Sequence, residues 1–253
     1  MCSGFVIEFG RRCLTADLVA GRDVVEVGAF DVNGSLRPIV EALGPRSYVG
    51  VDITAGPGVD RVMDARNLVA ELGPASADIV ISTEMVEHVL DWHTVIQNLK
   101  GVLRPGGRLL LTTRSKGFGY HAWPYDFWRY ELDDMRAIFG DMELLTLEPD
   151  PDAPGVFVFA LRSSAIDPVT PELALYSMLT AKRQVGVSDV DIRRFAARAP
   201  LRALAARLRS TAARSRRSAR SSWRFLRRRV VSPLWMAMPG GVRRAVKRLL
   251  GRA

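Results

Sequence analysis

Short apolar runs alternate with longer amphipathic stretches over the first 162 residues of the chain. The runs predict strands and lie at Val24–Val27, Tyr48–Ile53, Arg61–Met63, Asp78–Ser82, Arg108–Thr113, Met142–Leu147 and Gly155–Leu161. Apolar positions at helical spacing predict helices over Leu36–Leu43, Met85–Leu103 and Leu132–Phe139. This alternation predicts a doubly wound α/β fold with a seven-stranded sheet. Only a tight Asp-Pro turn separates the last two runs, which predicts an antiparallel C-terminal hairpin at one edge.

The pattern changes after Arg162. A helix is predicted to start at Thr170, which would be its N-cap. Pro171 then occupies the first turn, and Glu172 places an acid at the positive end of the helix dipole. Residues 1–164 carry 15 Lys and Arg against 23 Asp and Glu, whereas residues 165–253 carry 21 against 4. We therefore predict two parts: a catalytic domain over residues 1–164, and a basic, Arg- and Ala-rich tail over residues 165–253, helical or disordered.

Acidic and small residues follow the predicted strands at the edge where ligands of such sheets bind. The positions are Glu26, Gly28, Asn33, Gly34, Asp52, Ile53, Asp64, Ala65, Thr83 and Glu84. Clustered carboxylates suit a nucleoside that carries a cation and no phosphate. Asp52 can accept hydrogen bonds from both ribose hydroxyls, and Asp64 can accept one from an adenine amino group. Glu26 supplies negative potential near a sulfonium. A pyrophosphate would favour glycine-rich turns instead, and the G-x-G-x-x-G fingerprint is absent.

Five segments in order, VVEVGAFDVNGS, YVGVDI, VMDARNL, DIVISTEMVEHV and VLRPGGRLLLTT, resemble those of class I S-adenosylmethionine-dependent methyltransferases of the type 11 kind. The resemblance covers about residues 20–162. It implies a Rossmann-like fold, methyl transfer, and S-adenosyl-L-methionine held by the strand-end residues above. The usual first loop, E-x-G-x-G-x-G, matches only at Gly28, and we expect Asn33 or Gly34 to adopt a positive φ.

Glu84, Glu87 and His88 would share one face of a helix that starts after the fourth strand. With His121 they form a candidate site for Mg²⁺ or Mn²⁺. The spacing resembles the E-x-x-E-H arrangement of metal-dependent O-methyltransferases. In a metal-free enzyme, His88 or His121 is the candidate general base, with Glu87 beside it. The aromatic segment GFGYHAWPYDFWRY, residues 117–130, is the candidate acceptor wall, because its aromatic rings with Asp126, His121 and Arg129 suit a sugar or an aromatic ring. The alternative is that this segment only covers the edge of the sheet.

Leucine and aromatic residues recur among the arginines of the tail, around Leu201–Leu208, Trp223–Val230 and Val242–Leu250. Such stretches favour an anionic membrane surface, with disorder or nucleic-acid binding as the competing interpretations. The two cysteines, Cys2 and Cys13, do not make a disulfide framework and favour the cytoplasm. The basic tail favours peripheral attachment at the inner face of the membrane. The leading hypothesis is O-methylation of a saccharide, glycolipid or similar small acceptor. The alternatives are an RNA or DNA methyltransferase and a non-catalytic membrane-associated scaffold.

Overall fold

The computed structural model describes residues 3–32, 34–122, 125–163 and 168–197. The chain divides into two compact units, Met1–Phe195 and Ala196–Ala253. Nearly all of the second unit lies outside the described residues, and so do the predictions for the tail beyond residue 197. The first unit includes the segment from residue 168 to 195, which follows the boundary suggested by the charge. The division into a catalytic domain and a basic tail stays a prediction.

The described residues of the first unit alternate between strands and short helices. The strands are β1 (Asp23–Val27), β2 (Ser47–Asp52), β3 (Arg61–Val62), β4 (Ala77–Thr83), β5 (Leu103–Arg114), β6 (Trp128–Arg129), β7 (Glu143–Pro149), β8 (Gly155–Leu161), β9 (Leu175–Ser177) and β10 (Arg183–Gln184). The helices are α1 (Gly4–Cys13), α2 (Ala16–Val19), α3 (Arg37–Glu41), α4 (Leu68–Leu72), α5 (Trp92–Val102) and α6 (Leu132–Ile138). Residues 189–197 are also helical, and Ala65–Asn67 and Val86–His88 form single 3₁₀ turns.

Seven strands form one sheet in the order β3-β2-β1-β4-β5-β8-β7. The first five in this order are parallel, and β8 runs antiparallel to both β5 and β7. The predicted Rossmann-like sheet and its antiparallel C-terminal hairpin are therefore confirmed. The chain moves outward in opposite directions from β1 and β4, so a crevice for a ligand opens at the carboxyl ends of these two strands.

The central strands are apolar on both faces because helices cover the sheet on each side. In β1, Val25 and Val27 pack into the larger core cluster with α5, whereas Val24 packs with α1 on the opposite face. Phe9 of α1 contributes to that second cluster, and its ring lies 4.9 Å from the ring of Phe157 in β8. A continuous apolar run is what such a doubly covered strand requires, and it explains why the sequence pattern located these strands.

The long helix predicted over Met85–Leu103 is wrong in its first part. Glu84 adopts φ 54°, in the left-handed region, and the chain then makes one 3₁₀ turn at Val86–His88. Helix α5 begins only at Trp92, where the Asp91 side chain accepts a hydrogen bond from the Thr94 amide at 3.2 Å. Glu84 and Glu87 therefore do not lie on one face of a helix.

The helix predicted to start at Thr170 is also wrong, because side chains of α5 hold this segment extended. The Thr170 amide donates to Gln97 Oε1 at 2.8 Å, and the Thr170 carbonyl oxygen lies 2.7 Å from His93 Nε2. Buried Lys100 donates to the Val169 carbonyl at 3.1 Å and forms an ion pair with Asp141 at 2.6 Å. Backbone groups used in these tertiary bonds are not available to a helix.

Three short strands form a second, antiparallel sheet in the order β10-β9-β6. Trp128 pairs with Ser177, and the Met178 amide donates to the Phe127 carbonyl at 2.8 Å, so β9 is attached to the end of the aromatic segment. The described segment that contains β9 thus packs next to the loop that follows β5. No helix within the described ranges is long and apolar enough to cross a membrane.

Candidate active site

A cavity of about 1030 Å³ opens at the carboxyl ends of the parallel strands. Nine of the ten residues predicted to hold the cofactor line it: Glu26, Gly28, Gly34, Asp52, Ile53, Asp64, Ala65, Thr83 and Glu84. The tenth, Asn33, lies outside the described residues. The structure therefore brings the strand-end residues to one cavity. What each of them binds stays a prediction.

The loop after β1 approaches the loop after β4 so closely that residue 28 has to be a glycine. Gly28 has φ 83°, and a Cβ atom there would lie 2.6 Å from the Met85 side chain. Gly34 also has a positive φ, 112°, as expected for this loop, and its amide donates to Asp31 Oδ1 at 2.6 Å. These contacts shape the loop without a second or third glycine of the usual motif.

Glu26 is the buried carboxylate at the end of β1, and only 2% of its surface is exposed. The Tyr48 hydroxyl donates to its Oε2 at 2.7 Å, and the Ser35 hydroxyl lies 3.5 Å from both oxygens. Burial raises the pKa of Glu26 to about 7, with these hydrogen bonds acting in the opposite direction. Its negative charge at neutral pH is therefore sensitive to a cation placed in the cavity.

Asp52 and Asp64 follow β2 and β3 and are held by local hydrogen bonds. Asp52 accepts the Thr54 amide at 3.0 Å and the Phe30 amide at 3.3 Å, one on each oxygen. Asp64 caps the turn that follows it and forms an ion pair with Arg66 at 2.6 Å, which lowers the pKa of the Asp64 carboxyl. Ile53, next to Asp52, is 70% exposed and offers an apolar surface to a ligand in the cavity.

Glu84 faces away from the predicted metal site. Its carboxylate accepts from the Thr112 hydroxyl at 2.9 Å and forms a close, buried ion pair with Arg114, which also bonds Asp150 at 3.0 Å. Burial, and then the neighbouring charge of Glu87, raise the pKa of Glu84 to about 7. Among the described residues, the group placed to share an ion is Glu87, His88 and His121. Glu84 does not belong to it, because the helical face that would have joined them is absent.

One ligand atom from each of Glu87, His88 and His121 lies within 4.8 Å of the others. Glu87 is fully buried, and its Oε2 accepts from the Thr113 hydroxyl at 2.8 Å. Its Oε1 has no hydrogen-bond partner and lies 3.8 Å from His88 Nε2. Burial raises the pKa of Glu87. A buried carboxylate oxygen without a partner is costly, and such an atom commonly marks a functional site.

The two histidines of this group are each oriented through Nδ1. His88 Nδ1 lies 2.5 Å from the Tyr125 carbonyl oxygen, and because a carbonyl only accepts, Nδ1 carries the proton. The lone pair of neutral His88 is therefore on Nε2, and His88 lines the cavity. Burial lowers the pKa of His88, which keeps the ring neutral. His121 Nδ1 lies 3.2 Å from Asp126 Oδ2, and the two imidazole rings are 4.8 Å apart.

Asp126 and Arg129 of the aromatic segment are not available to a sugar, which corrects the prediction for these two side chains. Both are fully buried, and Arg129 binds both oxygens of Asp126, at 2.5 and 2.9 Å. Although burial opposes ionisation of Asp126, the hydrogen bonds from Arg129 hold its pKa well below the ordinary value. The pair positions the backbone and ring of His121 instead.

The other side of the cavity is formed by apolar and aromatic residues. They are Val89, Leu90, Val95, Ala122, Tyr125, Phe127 and Ile192. Tyr125 and Phe127 belong to the predicted acceptor wall, whereas Ile192 could not be connected with the site from its sequence position. The cavity thus has a polar, acidic part beside β1, β2 and β3 and an apolar part beyond β4, with His88 between the strand-end residues and the aromatic segment.

A family model for the methyltransferase domain matches residues 4–140, just over half of the chain. The chain belongs to this methyltransferase family. The match confirms the expectation of a class I methyltransferase domain that uses S-adenosylmethionine.

Curated relatives and solved structures are similar to this methyltransferase over limited regions. A ubiquinone biosynthesis O-methyltransferase of Xanthomonas euvesicatoria is 34% identical over 91 residues, covering 36% of this chain and 35% of that protein. Phosphoethanolamine N-methyltransferase 2 of Caenorhabditis elegans is 22% identical over 116 residues, covering 41% and 26%. The matches thus span about a quarter to a third of these relatives. The Burkholderia thailandensis 1,6-didemethyltoxoflavin-N1-methyltransferase, solved with S-adenosylhomocysteine, is 18% identical, with a TM-score of 0.49 and coverage of 62% and 79%.

Proposed function

We propose that this methyltransferase transfers the methyl group of S-adenosylmethionine to a hydroxyl oxygen of a small acceptor of the saccharide or glycolipid class. The observation that carries the proposal is a neutral imidazole, His88, in the wall of the cavity that the strand-end carboxylates also line. An alcohol is a weak nucleophile unless a base removes its proton as the new bond forms. His88 is oriented for that task.

The cofactor would occupy the acidic part of the cavity. Asp52 would accept the ribose hydroxyls, Ile53 would cover the adenine ring, and Glu26 would face the cationic half of the molecule. Gly28 has no side chain, which lets the loop after β1 pass close to Met85 while it lines the cavity. The chemistry supplied by the cofactor is an activated methyl group on a sulfonium.

The reaction is an in-line displacement on carbon. When bound, the cofactor would supply the methyl carbon to which the acceptor oxygen bonds, and its sulfur would keep the electron pair of the carbon–sulfur bond that breaks. The hydroxyl proton goes to Nε2 of His88. The Tyr125 carbonyl keeps Nδ1 protonated, and the Glu87 carboxylate, with Oε1 3.8 Å from Nε2, would stabilise the positive charge of the imidazolium electrostatically. Positioning of the two reactants supplies much of the remaining acceleration.

Glu87, His88 and His121 are also the residues that would hold a divalent ion. They fit one, because a buried carboxylate oxygen has no partner and both imidazoles have Nδ1 beside an acceptor, as metal-binding histidines do. An ion there, Mg²⁺ or Mn²⁺ by the sequence-based prediction, would lower the pKa of a bound hydroxyl. With Glu84 absent from the group, the ligand set has two nitrogens and one oxygen, whereas Mg²⁺ favours oxygen ligands.

Two observations support an oxygen acceptor with a ring. Tyr125, 63% exposed, lines the cavity and presents an aromatic ring for stacking. Two of the curated relatives, from Xanthomonas euvesicatoria and Cupriavidus pinatubonensis, are O-methyltransferases by name. A glycolipid combines a hydroxylated ring with an apolar portion, and so matches a cavity with polar and apolar parts. Attachment at an anionic membrane surface through the basic tail would bring the enzyme to such an acceptor.

The decisive experiment is transfer of labelled methyl from S-adenosylmethionine to cell extracts separated into lipid, glycan and nucleic-acid fractions. We expect label in the lipid or glycan fraction, and His88→Gln should lower the rate about 10²- to 10⁴-fold, the usual contribution of a general base. His93→Gln is the matched control, because His93 lies outside the cavity lining. Label only in nucleic acid would assign the function to the competing class.

Exhaustive treatment with EDTA separates the two roles of the histidine group. Methyl transfer by His88 as a base should survive chelation. A complete loss of activity that Mn²⁺ or Mg²⁺ restores would instead assign Glu87, His88 and His121 to a metal centre. Failure of the purified protein to bind S-adenosylhomocysteine in calorimetry would support the scaffold interpretation.

A further inference from the structure

The segment beyond the seven-stranded sheet supplies a wall of the same cavity. Ile192, in the helix formed by residues 189–197, lines the cavity and packs against the main core cluster. It lies far beyond residue 140, where the match to the methyltransferase family ends. This wall is therefore not part of the region that the family match explains.

The helix of residues 189–197 is fixed on the side of the aromatic segment. Phe195 is buried, and its ring lies 5.2 Å from the ring of Tyr120. At the start of the helix, the Ser188 hydroxyl donates to Asp191 at 2.7 Å. The contact with Tyr120 places this helix beside the loop after β5, and Ile192 lines the cavity from this helix.

The chemistry of this part of the cavity is that of a hydrocarbon site. Ile192 shares the lining with Leu90, Ala122, Tyr125 and Phe127. The whole cavity, about 1030 Å³, reaches the upper end of the range of about 300–1000 Å³ that holds a single drug-sized ligand. The strand-end acids and these apolar residues line this one cavity, so a ligand beside the acids and a ligand beside Ile192 would share it.

We propose that Ile192, on the helix formed by residues 189–197, binds the apolar, non-reacting portion of the acceptor, while the acceptor hydroxyl meets His88. The proposal rests on the proposed function and makes Ile192 a specificity-determining residue. The acceptor class that fits is amphipathic, with a hydroxylated head and a hydrocarbon portion. Removal of that portion from water against Ile192 and Phe127 would supply binding energy away from the reacting atoms.

Saturation-transfer NMR on the full-length enzyme loaded with S-adenosylhomocysteine tests this directly. The probes are n-octyl β-D-glucoside and n-octyl gallate, below their micelle concentrations, with methyl β-D-glucoside and methyl gallate as their short-chain counterparts. We expect transfer to the octyl chain of at least one probe and weaker binding of the short-chain compounds. Ile192→Asp should weaken binding of the octyl probe at least tenfold, and Ile192→Ala less.

Val190→Asp is the matched control, because Val190 is on the same helix but is exposed and outside the cavity lining. It should leave probe binding unchanged. Calorimetry measures S-adenosylhomocysteine binding by each variant and so shows whether its cofactor site is folded. If Ile192→Asp does not fold, Ile192→Ala replaces it in the comparison. If S-adenosylhomocysteine binds but no octyl chain shows transfer, or if Ile192→Ala and Val190→Asp behave alike, the apolar subsite is refuted while the proposed methyl transfer stands. If S-adenosylhomocysteine does not bind the wild-type protein, the proposed function itself is refuted.

Discussion

Asp52 is the strand-end residue whose role can be measured most directly. Each of its oxygens already accepts one loop amide, from Thr54 and Phe30, and retains a further lone pair toward the cavity that it lines. A ribose held by this carboxylate would donate both hydroxyl protons to it. The same loop bonds mean that a simple deletion also affects the shape of the site, so the test needs two variants.

We predict that Asp52→Ala weakens S-adenosylmethionine binding by about 1.5–3 kcal/mol, the usual value of a hydrogen bond to a charged group. Asp52→Asn should lose less, because it keeps one acceptor oxygen. Isothermal titration calorimetry measures both dissociation constants. Asp133→Ala, an exposed acid at the start of α6, is the control. An unchanged constant for Asp52→Ala would remove this residue from the cofactor site.

Glu26 makes the stability of the protein depend on pH. Its pKa in the folded protein is about 7, mainly because of burial, whereas the ordinary value is 4.5. The folded state thus binds more protons between these two pH values. Stability from this group is fully present below about pH 4.5 and is lost as the pH rises through 7.

We predict that Glu26→Gln reduces the loss of stability with rising pH, because the amide does not ionise. The amide oxygen can still accept the hydrogen bond from the Tyr48 hydroxyl. Urea unfolding of the ligand-free protein at pH 5, 6, 7 and 8 measures the effect. The free energy of unfolding of the wild type should fall more steeply with pH than that of the variant. Glu84 and Glu87 titrate in the same direction in both proteins, so the difference isolates Glu26. Parallel curves would contradict the raised pKa.

At the scale of elements, the sequence predicted the strands whose positions are determined by burial of both faces. Strands β1, β4 and β8 are apolar because both faces are covered, and the hydrophobic pattern located each of them within one residue at either end. The pattern also predicted that the acids at the strand ends would meet, because parallel strands end at one edge. Nothing in the pattern required the chain to continue into β9 and a further helix, whose Ile192 lines the cavity.

The two wrong helix predictions have a common physical cause. Between Glu84 and Asp91 the buried ion pair with Arg114 and the Thr113–Glu87 bond fix a non-helical path, although the apolar spacing suited a helix. The signal for the true start was the Asp91-x-x-Thr94 cap. At Thr170, bonds from α5 determine the conformation. Long-range partners decide both segments, and they are not visible in local sequence.

On the scale of the whole molecule, the two parts of the chain differ in charge more than in any other property. All residues that line the cavity except Ile192 belong to the acidic part, and the part from residue 165 onwards has 21 basic residues against 4 acidic ones. A basic segment near an anionic surface gains about 1 kcal/mol for each Lys or Arg that reaches it. Trp223, Phe225 and Leu226 among the arginines add apolar groups that could enter the interface.

We predict that the full-length methyltransferase sediments with vesicles that contain phosphatidylglycerol and not with vesicles of phosphatidylcholine alone. A variant with Arg227, Arg228 and Arg229 changed to Gln should bind less, and binding should weaken with salt because exposed charges are screened over about 8 Å at physiological ionic strength. Replacing Trp223 and Phe225 by Ser distinguishes the partners, since loss of aromatic anchors weakens membrane binding even at low salt, whereas a backbone clamp on a DNA duplex depends chiefly on the arginines. Equal sedimentation with both vesicle types, or salt-sensitive binding to duplex DNA alone, would show that the partner of the basic segment is not an anionic lipid surface. The argument for a membrane-borne acceptor would then rest only on the chemistry of the cavity.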